Sequence, residues 1–228
     1  MDPNFEYKIN NICVVYEDDW LLIVNKPSGL LVIPAPKNQR RTLTNILNEN
    51  LKKRGIDYRL HPCHRLDRET SGLIIYAKGK STQKKMMGLF KLKKIKKTYV
   101  AYVLGRLTKD KGRVSYPIEG QAAPTRYRVI QRRKDFSVVE VEPLTGRTNQ
   151  IRIHFKLIGH PIMGETKYAF RRDFKLKAKR LCLHAEKLEF KHPITNNIVS
   201  LATQIPSDMT ALLRDSLSIV RRNVPRLG

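Results

Sequence analysis

Asp67 stands between Arg65 and Arg68 in the stretch His61-Pro-Cys-His-Arg-Leu-Asp-Arg-Glu-Thr-Ser-Gly72, just before the apolar run at residues 73–77. A loop on the end of a buried strand is a common seat for reactive groups. Two neighbouring guanidinium groups favour an ionised carboxylate, and a fixed, ionised carboxylate serves as nucleophile or as general base. The competing reading is an aspartate that closes a turn and pairs with an arginine for structure alone. His61, Cys63 and His64 invite comparison with metal ligands, but no second ligand pair stands at zinc-site spacing. Loop or structural roles are expected for them, with no metal.

The rest of the composition narrows what such a carboxylate could act on. The chain has 228 residues, 41% of them hydrophobic, which is enough to bury a core. Lys and Arg number 45 against 20 Asp and Glu, a net charge of +25. A surface of that sign attracts polyanions such as RNA, DNA or an anionic membrane face. No apolar run approaches the ~20 residues that a membrane-spanning helix needs, and the N-terminal residues lack the basic-then-apolar pattern of a secretory signal. Cys13, Cys63 and Cys182 are scattered and odd in number, which suits reduced thiols and predicts a cytoplasmic protein.

The elements that must position the reactive loop follow from periodicity. Residues 12–16 and 21–25 read as strands around the acidic turn Glu17-Asp18-Asp19, and Asn25-Lys26-Pro27-Ser28-Gly29 then breaks the pattern. Thr42 suits the N-cap of a helix with Leu43, Ile46, Leu47 and Leu51 on one face and Gly55 as its stop. Ser81 is expected to cap a second helix, turning Met86, Leu89 and Phe90 inward and Lys84, Lys85 and Lys91 outward. Residues 91–97 hold five lysines, either a phosphate-contacting rim or a solvated face. Strands are expected at residues 98–104, 114–118, 125–132 and 136–141, with Lys134-Asp135 as a hairpin turn. Thr148 is expected to cap a short helix in which Ile151, His154 or Phe155, and Ile158 share a face, ended by Gly159. Ser207 opens a last helix, to about residue 222, with Met209, Leu212, Leu213, Leu217 and Val220 on one side. Many strands and few helices predict an α+β fold, a mostly antiparallel sheet with flanking helices.

Residues 64–73, His-Arg-Leu-Asp-Arg-Glu-Thr-Ser-Gly-Leu, resemble the central motif of the pseudouridine synthases, in the branch typified by ribosomal large-subunit pseudouridine synthase A. The segment from Asn25 to Val32 resembles the family's first motif, with Ile33 where the family often has histidine. Thr98-Tyr99-Val-Ala-Tyr-Val-Leu-Gly105 resembles its second catalytic segment. Residues 143–168 resemble the pattern LxTGRtHQIRvHlxxiGhPixGDxxY, with Asn149 in place of the usual histidine and Tyr168 completing it. Residues 181–193 resemble the closing LHAxxLxFxHP segment. The likeness spans about residues 15–206 and implies one catalytic domain over residues 1–228. Many relatives carry an RNA-binding domain ahead of the first motif, and the expectation here is a catalytic domain without it.

What the resemblance implies is an isomerase that converts uridine in ribosomal RNA, transfer RNA or both to pseudouridine, with RNA stem-loops as partners and neither cofactor nor metal. Asp67 becomes the catalytic aspartate, compatible with attack at C1′, addition to C6 or proton abstraction from the sugar. Tyr99 stacks on the uracil and helps remove the C5 proton, and Arg152 pairs with the aspartate. Arg65 fills the gap left by a flipped nucleotide, and Leu183 either walls the uracil pocket or packs in the core. The expected protein is a cytoplasmic monomer with no membrane association. A noncatalytic RNA-binding or ribosome-assembly protein would explain the charge equally well, but it would not need Asp67, Tyr99 and Arg152 together. A glycosidase would need a second acid carboxylate, for which the central motif offers only Glu69.

Overall fold

The computed structural model describes residues 7–34, 41–168 and 178–221, with side chains to Arg214. Backbone proximity divides the chain into two compact units, residues Met1–Tyr99 with Ala185–Thr203, and Val100–His184 with Gln204–Gly228.

The first unit is built on β1 (Tyr7–Ile9), β2 (Ile12–Glu17), β3 (Leu21–Lys26), β4 (Leu60–Pro62), β5 (Ser71–Lys78), β10 (Leu183–Lys191) and β11 (Ile198–Ala202), with helices α1 (Leu43–Lys53) and α2 (Lys80–Lys91). Its strands lie in the order β1-β2-β3-β5-β10, with β4 added to β5 and β11 to β10. Antiparallel register joins β1 to β2, β2 to β3, β3 to β5, β4 to β5 and β10 to β11. Seven of the eight residues of β5 are buried, so this strand reads as an unbroken apolar run instead of an alternating one. Leu21, Ile23, Leu73, Ile75, Met86, Ile95, Leu188 and Phe190 form the core beneath it. Each such side chain contributes about 1.5–3 kcal/mol by leaving water.

Helix α1 starts as its sequence dictates: the Thr42 hydroxyl accepts from the Asn45 amide, and Leu43, Ile46, Leu47 and Leu51 are buried. Helix α2 corrects the expected Ser81 cap. It begins two residues earlier, after Gly79 at φ 91°, with no side-chain cap. The glycine makes the sharp entry that a hydroxyl cap would otherwise stabilise.

Strand β6 (Lys96–Leu104) starts in the first unit and continues into the second. The second unit adds β7 (Lys111–Val114), β8 (Thr125–Arg132), β9 (Phe136–Pro143), α3 (Gln150–Leu157) and α4 (Ser207–Arg221), its strands ordered β6-β9-β8-β7. Strand β7 lies at residues 111–114 instead of the expected 114–118. Pro117 lacks an amide to continue the ladder, and Ile118 pairs only with Gln121 across a tight turn. The β8–β9 hairpin turns at residues 133–135, as expected. Helix α4 lies where the sequence placed it. Its Leu217 and Val220 side chains lie outside the described residues. The fold is mixed α+β with a largely antiparallel sheet.

Candidate active site

In the first unit the stretch that carries Asp67 is aimed by three devices. Cys63 donates its amide to Ile75, continuing the pairing of β4 with β5, and then the His64 side chain takes over: the Ile75 amide donates to His64 Nε2 at 3.1 Å. An imidazole thus replaces a main-chain acceptor, and the chain turns away from the sheet. Burial, and then the nearby Lys97 charge, push the His64 pKa down to about 3, so the ring is neutral.

The second device is Lys26, a fully buried lysine. Its ammonium donates to the carbonyls of Pro27 at 3.0 Å, Leu30 at 2.8 Å and Arg68 at 3.1 Å. The Gly29 amide also donates to the Arg68 carbonyl, and the Ser28 hydroxyl to that of Glu69, at 2.8 and 2.6 Å. The Lys26-Pro-Ser-Gly turn therefore holds the turn at residues 67–70, which the Thr70 amide closes on the Asp67 carbonyl at 3.1 Å. Hydrogen bonds to charged groups are the stronger kind, roughly 1.5–3 kcal/mol each.

The third device is Gly72, at φ 117°, where a Cβ would lie 2.3 Å from the Ala185 carbonyl oxygen. Only glycine permits that approach.

On this frame Leu66 is buried, Asp67 half-buried and Arg65 exposed. Tyr99, in β6, is 9% exposed. Burial, and then the charge of Asp67, raise its pKa. The structure thus brings Asp67 and Tyr99 within electrostatic reach, and Arg65 stands two residues from the carboxylate with its side chain in solvent.

Arg152 and Leu183 belong to the second unit. Arg152 lies on α3, 4% exposed, and its guanidinium makes a two-pronged pair with Glu165: Nε to Oε2 at 2.7 Å and Nη2 to Oε1 at 2.8 Å. The amides of Lys167 and Tyr168 donate to the same carboxylate at 2.8 and 3.2 Å. Burial pushes the Glu165 carboxyl up, but Arg152 and the two amides outweigh it and hold its pKa below the ordinary range. Arg152 Nη1 donates to Asn149 Oδ1 at 3.0 Å, and Asn149 Nδ2 donates to the Tyr168 hydroxyl at the same distance. The Tyr168 ring lies 5.5 Å from the guanidinium carbon, placed for a cation–π contact. Leu183 opens β10 and is 3% exposed.

Glu165 was missed in the sequence, although it occupies the position of the acidic residue in the pattern's GDxxY. Gly164 before it is at φ 76°, and a Cβ there would lie 2.0 Å from the Arg180 carbonyl oxygen. The expected Thr148 cap is a further correction. Asn149 is the N-cap, left-handed at φ 54°, and its side chain caps no backbone amide of the helix. That conformation suits asparagine. The Gln150 side chain supplies the local closure, its Oε1 accepting from the Arg147 amide at 3.0 Å and the Thr145 hydroxyl at 2.6 Å. The His154 ring, on the same helix, spans the Thr125 hydroxyl and the Tyr116 carbonyl.

Within the first unit, a carboxylate on a pinned loop and a protonated phenol in its electrostatic reach have the chemistry of an acid–base or nucleophilic site, and the second unit holds, on its own, a buried carboxylate–arginine pair. The sequence profile described as RNA pseudouridylate synthase matches residues 20–157, the stretch that contains Lys26, Asp67, Tyr99 and Arg152. The chain belongs to this family. It is 37% identical over 205 residues to the dual-specificity RNA pseudouridine synthase RluA of Pasteurella multocida, covering 83% of this chain and 91% of that protein. It is 34% identical over 233 residues to ribosomal large subunit pseudouridine synthase D of Nitrosomonas europaea, covering 93% and 67%. Among solved structures, human RNA pseudouridylate synthase domain containing 4 superposes with TM-score 0.76 at 25% identity, covering 91% of this chain and 92% of that one. The enzyme is therefore an RNA pseudouridine synthase, an isomerase acting on RNA. Among the described residues no helix is long and apolar enough to cross a membrane.

Proposed function

We propose that this enzyme isomerises uridines held in stem-loops of ribosomal RNA, transfer RNA or both, with Asp67 as the catalytic carboxylate. The observation that carries the assignment is the pinning of the Asp67 turn by a fully buried ammonium and a glycine that tolerates no side chain, beside a buried tyrosine. A structural turn aspartate has no need of that cradle.

In the reaction the N1–C1′ bond breaks, the uracil rotates, and a C5–C1′ bond forms. N1 gains a proton and C5 loses one, so atoms and electrons balance without a donor, and the chemistry calls for no cofactor. Asp67 supplies the carboxylate at the sugar or uracil ring, and Arg152 is assigned to hold it ionised and oriented. That assignment suits a guanidinium already fixed in one plane by Glu165. Tyr99, kept protonated by burial and by the Asp67 charge, offers the uracil a ring face. It can take the C5 proton only by passing its own to an acceptor such as Asp67. Leu183 is assigned to the apolar wall of the uracil pocket.

Extruding a stacked nucleotide costs a few kcal/mol. Arg65 is assigned to fill the gap, and its exposed side chain next to the Asp67 turn supports this. Arg65→Ala is expected to slow reaction on stem-loops far more than on an already extruded uridine, and equal losses on both would remove the role. The scattered and odd-numbered cysteines Cys13, Cys63 and Cys182 support a reducing, cytoplasmic setting, and we infer a monomer, which light scattering on the purified protein would check. The target is tested by incubating unmodified ribosomal and transfer RNA transcripts with the protein and mapping pseudouridine by carbodiimide-dependent primer-extension stops. New stops in one class of transcript identify it, and none in either would defeat the proposal.

A further inference from the structure

We infer that the outer face of the β7–β8 hairpin, with Tyr116 at its end, is a second RNA-binding surface that grips the sugar–phosphate backbone. The inference takes its choice of polyanion from the RNA-directed function above, and the binding face itself is argued from the geometry of the second unit.

The antiparallel register sets Lys111 opposite Arg128 and Arg113 opposite Arg126. All four side chains are exposed, while their strand neighbours Gly112, Val114, Thr125 and Tyr127 are not. Directly opposed residues on adjacent strands share a face, with Cβ atoms roughly 4.5–5.5 Å apart, and like charges so placed repel. Among the described residues, the opposing charges in register are Glu140, opposite Arg128, and Glu142, opposite Arg126, one strand further in on β9. Arg128 bonds Glu140 at 2.9 Å, so part of the repulsion is relieved internally. Glu142 stands opposite Arg126 in the same way, so four cations face two carboxylates and the rows keep a net charge of +2, which favours polyanions.

Cationic edge strands also serve to prevent edge-to-edge pairing, and that bland explanation covers Lys111 and Arg113 on the edge strand β7. It does not cover Arg126 and Arg128, which stand on β8 with β7 on one side and β9 on the other.

A stacking residue adjoins the block. Tyr116 follows β7 and is 55% exposed, in a chain where most tyrosines are covered. Its main chain is fixed from beneath: the fully buried His154 ring donates from Nε2 to the Tyr116 carbonyl at 3.0 Å and accepts from the Thr125 hydroxyl at 2.8 Å. An aromatic ring on an anchored loop beside a row of cations is the arrangement by which proteins hold nucleic-acid strands, charge tracking phosphates and the ring stacking on a base. The anchor is on α3, two residues from Arg152, so this surface is tied to the helix that carries the site arginine. The opposite face of the hairpin is already used, with Tyr127 packed 5.6 Å from Phe155.

The test is binding, which needs no turnover and so stands or falls apart from the proposed reaction. Arg113→Glu/Arg126→Glu is compared with Lys52→Glu/Lys53→Glu, an equal change of charge at exposed positions of α1, by titrating a labelled transfer RNA transcript and an oligouridylate across a salt series. Thermal melting checks that each variant folds. The hairpin variant is expected to bind the transcript at least tenfold more weakly, with the salt slope reduced by roughly 1.4–1.8 for two lost phosphate contacts. The α1 variant is expected to change less than threefold. Loss on the transcript alone assigns the face to folded RNA, and loss on both probes assigns it to a single strand. Tyr116→Ala is expected to weaken binding with the salt slope unchanged. Wild-type affinity in the hairpin variant, or equal losses in the two charge variants, would overturn the inference by reducing the effect to net charge.

Discussion

The turn that carries Asp67 and the helix that carries Arg152 solve the same problem, holding one charged side chain still, by opposite means. Around Asp67 the restraints fall on the main chain: the Lys26 ammonium and the Ser28 hydroxyl bind the carbonyls of Arg68 and Glu69. Around Arg152 they fall on the side chain itself, since two of its nitrogens are committed to Glu165 and the third donates to Asn149. A group that must form or break bonds with a substrate suits support through its backbone. One that acts through its field and orientation can be locked by its own atoms. That difference is a reason to seek the reacting group at Asp67 and the orienting group at Arg152.

The sharpest way to break the comparison is to remove a locking partner. Glu165→Gln leaves the Arg152 charge buried without its counter-ion and is expected to cost about 3–5 kcal/mol, read as a large fall in denaturation midpoint. A loss under about 1 kcal/mol would mean that the pair is dispensable. Next is Lys26→Met, similar in length but without donors, which takes the ammonium from the carbonyls of Pro27 and Leu30 and leaves that of Arg68 with the Gly29 amide alone. It is expected to cost about 3 kcal/mol and to lower turnover beyond what the remaining folded fraction explains. Normal turnover per folded molecule would show that the turn does not depend on its buried ammonium.

Acid should act on both units. The pKa of buried His64 lies near 3 and that of His184 near 4, against an ordinary value of 6.5. Each folded value lies below the unfolded one, so their contribution is fully present above pH 6.5 and is lost as pH falls through the folded values. Glu165, also lowered, contributes in the same direction. Stability is therefore expected to fall steadily below about pH 6.5, and a flat profile down to pH 4 would contradict the two neutral, buried imidazoles. The smallest effect is expected at the partly exposed pair of Arg180 and Asp208, 2.6 Å apart. Arg180→Met should cost about 1 kcal/mol or less, the contrast that gives the Glu165 result its meaning.

The sequence carried these two regions unequally. Its apolar spacing placed α1, β3, β5 and the β8–β9 hairpin, because a buried face imposes a period that few other constraints disturb. The family resemblance supplied Asp67, Tyr99 and Arg152. Lys26 lies in a segment that the sequence marks only as a turn, lysine is rarely fully buried, and only the folded chain shows three carbonyls converging on it. Ser81 and Thr148 look like helix caps, yet Gly79 and Asn149 occupy the entries by adopting positive φ. Propensity ranks hydroxyl side chains highly at such sites, whereas the angle of chain entry selected residues that tolerate the left-handed region. Glu165 lay within a recognised segment, but its bond to Arg152 spans thirteen residues and depends on the close turn at Gly164. The basic segment at residues 171–180 suits either an RNA contact or a solvated loop by its composition, and its residues up to position 177 lie outside the described ones.

Tritium release from RNA labelled at uridine C5 tests the central claim most directly, with the wild-type protein set against Asp67→Asn. The exchange removes a charge and almost no volume, so RNA binding should persist, and a filter-binding control on the same preparations checks that it does. Release by the wild type and none by the variant is the expected result. Release by a folded, RNA-binding Asp67→Asn protein would contradict the assignment of Asp67 as the catalytic group.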